Sequence, residues 1–299
     1  MLDLIFNTLI QGLIYSLLAY GILITYKILD FPDLSVDGSF PLGAAVTAVM
    51  LTSGINPWLT LPAAIAVGAF AGLVTGVIHV KCRVRDLLAG IITMTALFSI
   101  NLQIAGSNLA VPRDFNTIFT SGIMDKIFGI FPGIDTLVNR KLFLTSVISV
   151  AAKILLDLYF KTKSGMLLRA VGDNGTLVTS LAKNSGTVKI LGLVISNALV
   201  ALCGCIVCHD QRAFSSTMGT GQMVFGLAAV IIGTTIFRRA SFVRGTTAVV
   251  VGSIVYKLCI QLALLAGLPA NLLKLITAVL FLIILILGNF QKKGGRRHA

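Results

Sequence analysis

Uncharged apolar runs as long as a lipid bilayer is thick divide this chain, and that feature leaves few folds open to it. Residues 4–26 form 23 residues without a charge between Asp3 and Lys27. As a helix rising about 1.5 Å per residue, such a run covers a hydrocarbon core of roughly 30 Å. Residues 38–80 are uncharged over 43 positions and are interrupted by Ser53-Gly54-Ile55-Asn56-Pro57, a turn sequence that separates two segments. Further candidate segments, apolar though three of them carry charged residues, cover 87–106, 142–160, 190–208, 223–237, 246–266 and 271–290. The reading is an all-α, polytopic integral membrane protein of about nine segments, forming one transmembrane domain over residues 1–299. Composition agrees: 56% of residues are hydrophobic, 12% are charged and mean hydropathy is +0.96, whereas soluble domains carry about 25% charged residues. A soluble globular fold is excluded.

The 24 Lys and Arg outnumber 11 acidic residues, all Asp, for a formal charge of +13. Cationic residues concentrate in the cytoplasmic loops of membrane proteins. Placing the C-terminal tail inside, with Lys292, Lys293, Arg296 and Arg297, puts Lys27, Lys81, Arg83, Arg85, Lys161, Lys163, Arg169, Lys183, Lys189, Arg238, Arg239 and Arg244 on the same side. Arg113, Lys126, Arg140, Lys141, Arg212 and Lys274 fall opposite. This bias predicts the N-terminus outside and the C-terminus inside. Topology then explains the basic excess, so lipids are the expected surroundings and nucleic acid is not an expected partner. The five cysteines are odd in number and lie mostly in apolar runs, so no disulfide framework is expected. The first run lacks a cationic leader and exceeds a signal-peptide core, so it is expected to stay in the mature protein.

Two segments are short for a bilayer, 13 residues at 40–52 and 15 at 223–237. Each follows a polar stretch: Asp30-Phe31-Pro32-Asp33-Leu34-Ser35-Val36-Asp37-Gly38-Ser39 before the first, Ser215-Ser216-Thr217-Met218-Gly219-Thr220-Gly221-Gln222 before the second. Irregular backbone at membrane depth needs protein or a water-filled cavity to satisfy its N–H and C=O groups. One interrupted segment in each half of a transporter points to the transport path; long interfacial loops before tilted helices are the bland alternative. The path candidates are Asp33, Ser35, Asp37 and Gly38 from the first stretch and Ser215, Gly219, Thr220 and Gly221 from the second.

The largest loop predicted to be cytoplasmic covers 161–189. Within it, Asp173 or Asn174 is placed to cap a short helix over 176–183, with Leu177, Val178 and Leu181 on one face and Asn184-Ser185-Gly186 ending it. An apolar face on such a helix suits either the membrane surface or a partner's cleft.

The run Leu168-Arg169-Ala170-Val171-Gly172-Asp173-Asn174, continuing through Ala182-Lys183-Asn184-Ser185-Gly186-Thr187-Val188-Lys189, resembles the ATPase-coupling loop of permease subunits of branched-chain amino acid and ribose-type ABC importers. Gly12 to Gly21 followed by 30–40 is similar to the family's first helix and its NFAHG-like element. Gly219-Thr220-Gly221 with Ala228-Ala229-Val230-Ile231-Ile232-Gly233-Thr234-Thr235 resembles its late GTG and AAVVIGG elements. The family's His-Gly is here Asp37-Gly38, and its second Gly of IGG is Thr234. Within the family the chain looks most like permeases paired with tryptophan- and tyrosine-type binding proteins.

The resemblance implies a bacterial inner-membrane permease that forms a homodimer, docks two cytoplasmic ATPase subunits and receives its amino acid from an external substrate-binding protein. Arg169, Gly172, Asp173, Asn174, Leu177, Val178, Leu181 and Lys183 are the ATPase-coupling candidates it implies. Transport would proceed by alternating access, with no cofactor in this chain and with ATP and Mg on the partner.

Other residues have plainer readings. Asp30, Asp33 and Asp37 are spaced for an acidic metal cluster, but Pro32 and Gly38 oppose a continuous helix. Cys203, Cys205, Cys208 and His209 resemble soft-metal ligands, yet cysteine is a common small apolar residue in membrane helices. Lys257, within a span, is either structural or part of a path, and Lys153 with Asp157 forms a local i, i+4 pair. Ala64, Gly68, Gly72 and Gly76 make a small-residue stripe for close helix contact, within one subunit or between two. The chain has no Gly-rich phosphate loop ending in Lys-Ser or Lys-Thr, no Glu and three scattered histidines, so it is expected not to be an enzyme. The alternatives are an ion-coupled secondary transporter using Asp37 or Asp157 and, more remotely, a membrane transferase using the Asp triplet.

Overall fold

The computed structural model describes residues 2–128, 136–180, 184–237 and 244–267, with isolated positions between 269 and 286; over 174–180 it describes backbone alone. The elements are α1 (Leu2–Ile22), α2 (Val36–Thr52), α3 (Thr60–Val80), α4 (Asp86–Ala105), β1 (Asn108–Ala110), α5 (Gly122–Phe128), α6 (Leu137–Tyr159), α7 (Lys163–Ser180), α8 (Ser185–Gln211), β2 (Ala213–Ser215), α9 (Gln222–Ile236) and α10 (Gly245–Leu265). Six helical stretches are long and apolar enough to cross a membrane: Leu4–Ile28, Pro57–Val80, Asp86–Ala105, Leu137–Tyr159, Ser185–Gln211 and Gly245–Leu265. Two further apolar helices, Val36–Thr52 and Gln222–Ile236, are shorter. The segment expected at 271–290 falls mostly outside the described residues.

Two central helices organise the bundle. Along α1, Ile14, Leu17, Leu18, Ala19 and Tyr20 are buried, and along α8 nearly every residue from Val200 to His209 is. A helix apolar all round belongs in the interior, and α1 packs against α6, α8, α9 and α10 while α8 packs against α1, α2 and α3. Outward faces of α4 and α6 expose Leu88, Ile92, Ile154 and Leu155, the pattern expected where lipid is the solvent.

The stripe Gly68, Gly72 and Gly76 acts inside this subunit. A Cβ at Gly68 would overlap Asn197 and Ala201, and one at Gly72 would overlap the Leu193 carbonyl, so α3 lies directly on the α8 backbone. The same device joins α2 to α8, because Gly43 meets Ala201 and Gly204 meets Phe40. Without a hydrophobic driving force between helices in lipid, such close approach supplies the packing energy.

Hydroxyls add interhelical bonds. Ser16 and Ser149 Oγ atoms lie 2.7 Å apart, Ser196 donates to the Gly21 carbonyl at 2.9 Å, and Ser253 donates to the Gly12 carbonyl at 2.9 Å. Between α1 and α2 the chain makes a π-helical turn over Leu23–Ile28 and then reaches Asp30 with φ +52°. β1 and β2 pair antiparallel, with Leu109 opposite Phe214, so the ends of α4 and α8 are tied together.

Candidate functional site

The starts of α2 and α9, which follow the two polar stretches, meet in the structure. Asp37 lies in the first turn of α2. Its carboxylate accepts N–H bonds from Gly221 (Oδ2, 3.0 Å) and Met223 (Oδ1, 2.8 Å). Those are among the N–H groups that a helix start leaves without partners, and a carboxylate there also opposes the positive end of the helix dipole. Gly221 caps α9 at φ +86°, a conformation that favours glycine.

Pro41 inside α2 has no N–H, so the Asp37 carbonyl lacks its usual helical donor. Gly219 nests over that gap, where a Cβ would overlap the Asp37 carbonyl oxygen and contact the Pro41 ring. The two stretches therefore interlock through Asp37, Pro41, Gly219 and Gly221.

Asp33 and Ser35 form a separate, wholly buried network. Ser35 donates to Asp33 Oδ1 through its N–H (2.9 Å) and its hydroxyl (2.6 Å), and Asn197 Nδ2 of α8 donates to Asp33 Oδ2 at 2.9 Å. These bonds compensate the desolvation of a buried carboxyl, which would otherwise be severe. Ser215 sits in β2, with its hydroxyl 3.1 Å from that of Thr217.

A cavity of about 230 Å³ adjoins the interlock, lined by Asp37, Gly38, Pro41, Met94, Thr95, Phe98, Asn101, Ser216 and Thr220. Three path candidates, Asp37, Gly38 and Thr220, thus line one space, while Asp33 and Ser35 lie in the neighbouring network. Asn101 and Asn197 escaped the sequence reading. Their signal was available, since an amide inside an apolar run costs energy unless it is bonded.

The coupling segment is also built differently from expectation. Over the described residues no separate helix begins at 176 with Asp173 or Asn174 as its cap; α7 runs unbroken from Lys163 to Ser180, through Gly172, Asp173 and Asn174. Gly172 seats against the Ile28 carbonyl, where a Cβ would overlap it, and such tertiary contact outweighs glycine's poor helix propensity of roughly 1 kcal/mol. Asn184 caps the following helix instead of ending this one, accepting from the N–H groups of Gly186 and Thr187. The side chains of Asn174, Leu177 and Val178, and all of Leu181 and Lys183, lie outside the described residues.

Arg169 stacks over Phe160 at 5.0 Å. Together with Asp173, Lys27, Asp157, Lys161 and Arg244 it borders a cavity of about 500 Å³. Asp157 there pairs with Lys153 as expected and also with Arg244, both at 3.0 Å, and accepts from the Thr246 hydroxyl at 2.6 Å.

Lys257 sits over the Tyr15 ring at 3.4 Å and 5.1 Å from that of Phe225, a cation–π arrangement that holds a charge among apolar neighbours. Cys203 and Cys205 face different partners, the Ile14 carbonyl (3.2 Å) and Thr60 (3.5 Å), and His209 Nε2 lies 2.8 Å from the Thr60 hydroxyl. Among the described residues no three or more His, Cys or Asp side chains gather as a metal site.

Residues 4–285 match the family described as branched-chain amino acid transport system / permease component. The chain is 41% identical over 287 residues to a tyrosine transport system permease protein of Clostridioides difficile, covering 96% of this chain and 92% of that one. It is 28% identical to the ribose import permease protein of Escherichia coli K12, covering 77% and 69%. It is also 28% identical to a probable branched-chain amino acid transport permease of Methanocaldococcus jannaschii, covering 74% and 72%.

Proposed function

The chain belongs to the family of branched-chain amino acid transport system permease components, and from that premise we infer that its cargo is an aromatic amino acid, tyrosine or tryptophan ahead of the branched-chain ones. It is a multi-pass membrane permease of an ABC-type importer. The observation that carries the aromatic reading is the 41% identity, along nearly the whole chain, to a tyrosine transport permease.

In this reading two copies form the membrane unit, with nine spans each, N-terminus out and C-terminus in, in a bacterial cytoplasmic membrane. Two cytoplasmic ATPase subunits bind the region from Arg169 to Lys183, carry ATP and Mg, and move α7 as they close. The interlock at Asp37 and Gly221 then lies where α2 and α9 shift between states. A partner drives such a change only by binding the two states with different free energy. The ion-coupled alternative gains nothing from the geometry: Asp37 is engaged by two backbone N–H groups, and Asp157 by Lys153, Arg244 and Thr246.

Purification and uptake test this together. The permease is expected to bring down an ATPase subunit, and Leu177→Asp with Leu181→Asp is expected to abolish that association while the variant still reaches the membrane. Uptake of radiolabelled tyrosine is expected to collapse on ATP depletion and to be competed by tryptophan more strongly than by leucine. Uptake that survives ATP depletion and collapses with a protonophore overturns the reading.

A further inference from the structure

The cavity beside the interlock contains a buried group with an unmet requirement. Asn101 of α4 is fully buried and donates its Nδ2 to the Gly38 carbonyl at 3.1 Å. A carbonyl only accepts, so the amide's NH₂ end must face Gly38, which settles the orientation of the side chain. Its Oδ1 is left without any hydrogen-bond partner. An orphaned buried acceptor costs about 1–3 kcal/mol and calls for an explanation.

The rest of the lining indicates what would satisfy it. The space is bordered by Asp37, Ser216 and Thr220, and by Met94, Phe98 and Pro41, with no Lys or Arg among the lining residues. Asp37 uses its two oxygens for two backbone donors, and a carboxylate has about four acceptor positions. The positive ends of α2 and α9, which would attract an anion, are both already opposed by Asp37. At about 230 Å³ the space is small, below the roughly 300–1,000 Å³ of sites for drug-sized ligands.

We propose that this cavity is a substrate subsite of the permease in which Asn101 Oδ1 and the Asp37 carboxylate receive the α-ammonium group of an amino acid, while Met94 and Phe98 contact its side chain. An ammonium brings three donors and a positive charge to two acceptors, one of them charged. A substrate carboxylate in the same place would face Asp37 with like charge. The proposal rests on the amino-acid importer reading above and adds the residues and the substrate group they recognise. Thr95 borders the cavity and is exposed, so it serves as a reporter.

The test uses the full permease assembled with its ATPase in vesicles and supplied with its external substrate-binding protein, carrying Thr95→Cys with Cys82→Ser and Cys259→Ser, and a hydrophilic thiol reagent. Tyrosine uptake is measured first. Thr95→Cys is expected to react, because Thr95 is exposed where it borders the cavity, and saturating tyrosine is expected to slow the reaction several-fold. The desamino analogue 3-(4-hydroxyphenyl)propionate and ribose are expected to leave the rate unchanged. Adding Asn101→Leu is expected to keep the ligand-free labelling rate while raising the tyrosine concentration for half-protection about tenfold, as loss of one hydrogen bond to a charged donor implies. Absence of aromatic amino acid uptake sinks the parent reading and this one with it. Uptake with an unreactive thiol, with no protection by tyrosine, or with equal protection by the desamino analogue or ribose overturns the subsite alone.

Discussion

Asp37 does two jobs that need a carboxylate: it places a negative charge in the first turn of α2 and it closes the N-terminus of α9 through Gly221 and Met223. An amide at the same position keeps one acceptor oxygen and loses the charge that opposes the helix dipole. Asp37→Ala is expected to cost about 1–2 kcal/mol and Asp37→Asn about half of that. The melting temperatures of the two detergent-solubilised variants check the order, and equal temperatures for Asp37→Ala and the parent protein would remove the capping role. The Asp33 network works by the same rule at greater depth, since every bond there replaces one to water. The aromatic seat of Lys257 shows the other solution, a cation held against ring faces.

Helices here are positioned by what they lack. Gly68 and Gly72 let α3 rest on the α8 backbone, Gly43 and Gly204 do so for α2, and Gly172 does so for α7 against the end of the first span. Gly72→Val should force α3 away from Leu193 and destabilise the fold by about 1–3 kcal/mol, the usual penalty of overpacking. Ala66→Val, on the exposed face of the same helix, should stay within about 0.5 kcal/mol. Thermal unfolding of both variants in detergent separates the cases; matching losses would mean that the stripe does not make the contact. Pro41 belongs to this scale too, because the carbonyl it frees is the place where the loop before α9 docks.

At the scale of the whole molecule, the apolar faces of α4 and α6 look outward while polar groups turn inward or to the two ends. That leaves orientation as the open variable of the proposal, and charge decides it. Cys82, exposed between Lys81 and Arg83, sits in one of the basic clusters assigned to the cytoplasm. A membrane-impermeant maleimide is expected to label it only after cells are permeabilised. Labelling of Cys82 in intact cells would reverse the assigned topology.

The helical membrane class, most span positions, the turn at 53–57 and the pairing of Lys153 with Asp157 were legible in the chain, because each depends on local composition or on spacing within one helix. The resemblance to a permease family was legible as well, in short motifs that keep their order. Tertiary structure decided what lies between elements: that the glycine stripe meets α8 inside the subunit, that α7 runs through Gly172, Asp173 and Asn174 without a break, and that Asp37 closes α9 while Asp33 bonds to Asn197. Asn101 and Asn197 stayed hidden for the same reason. A polar residue in an apolar run announces that it needs a partner, but only the packing of distant helices supplies the partner or leaves it wanting.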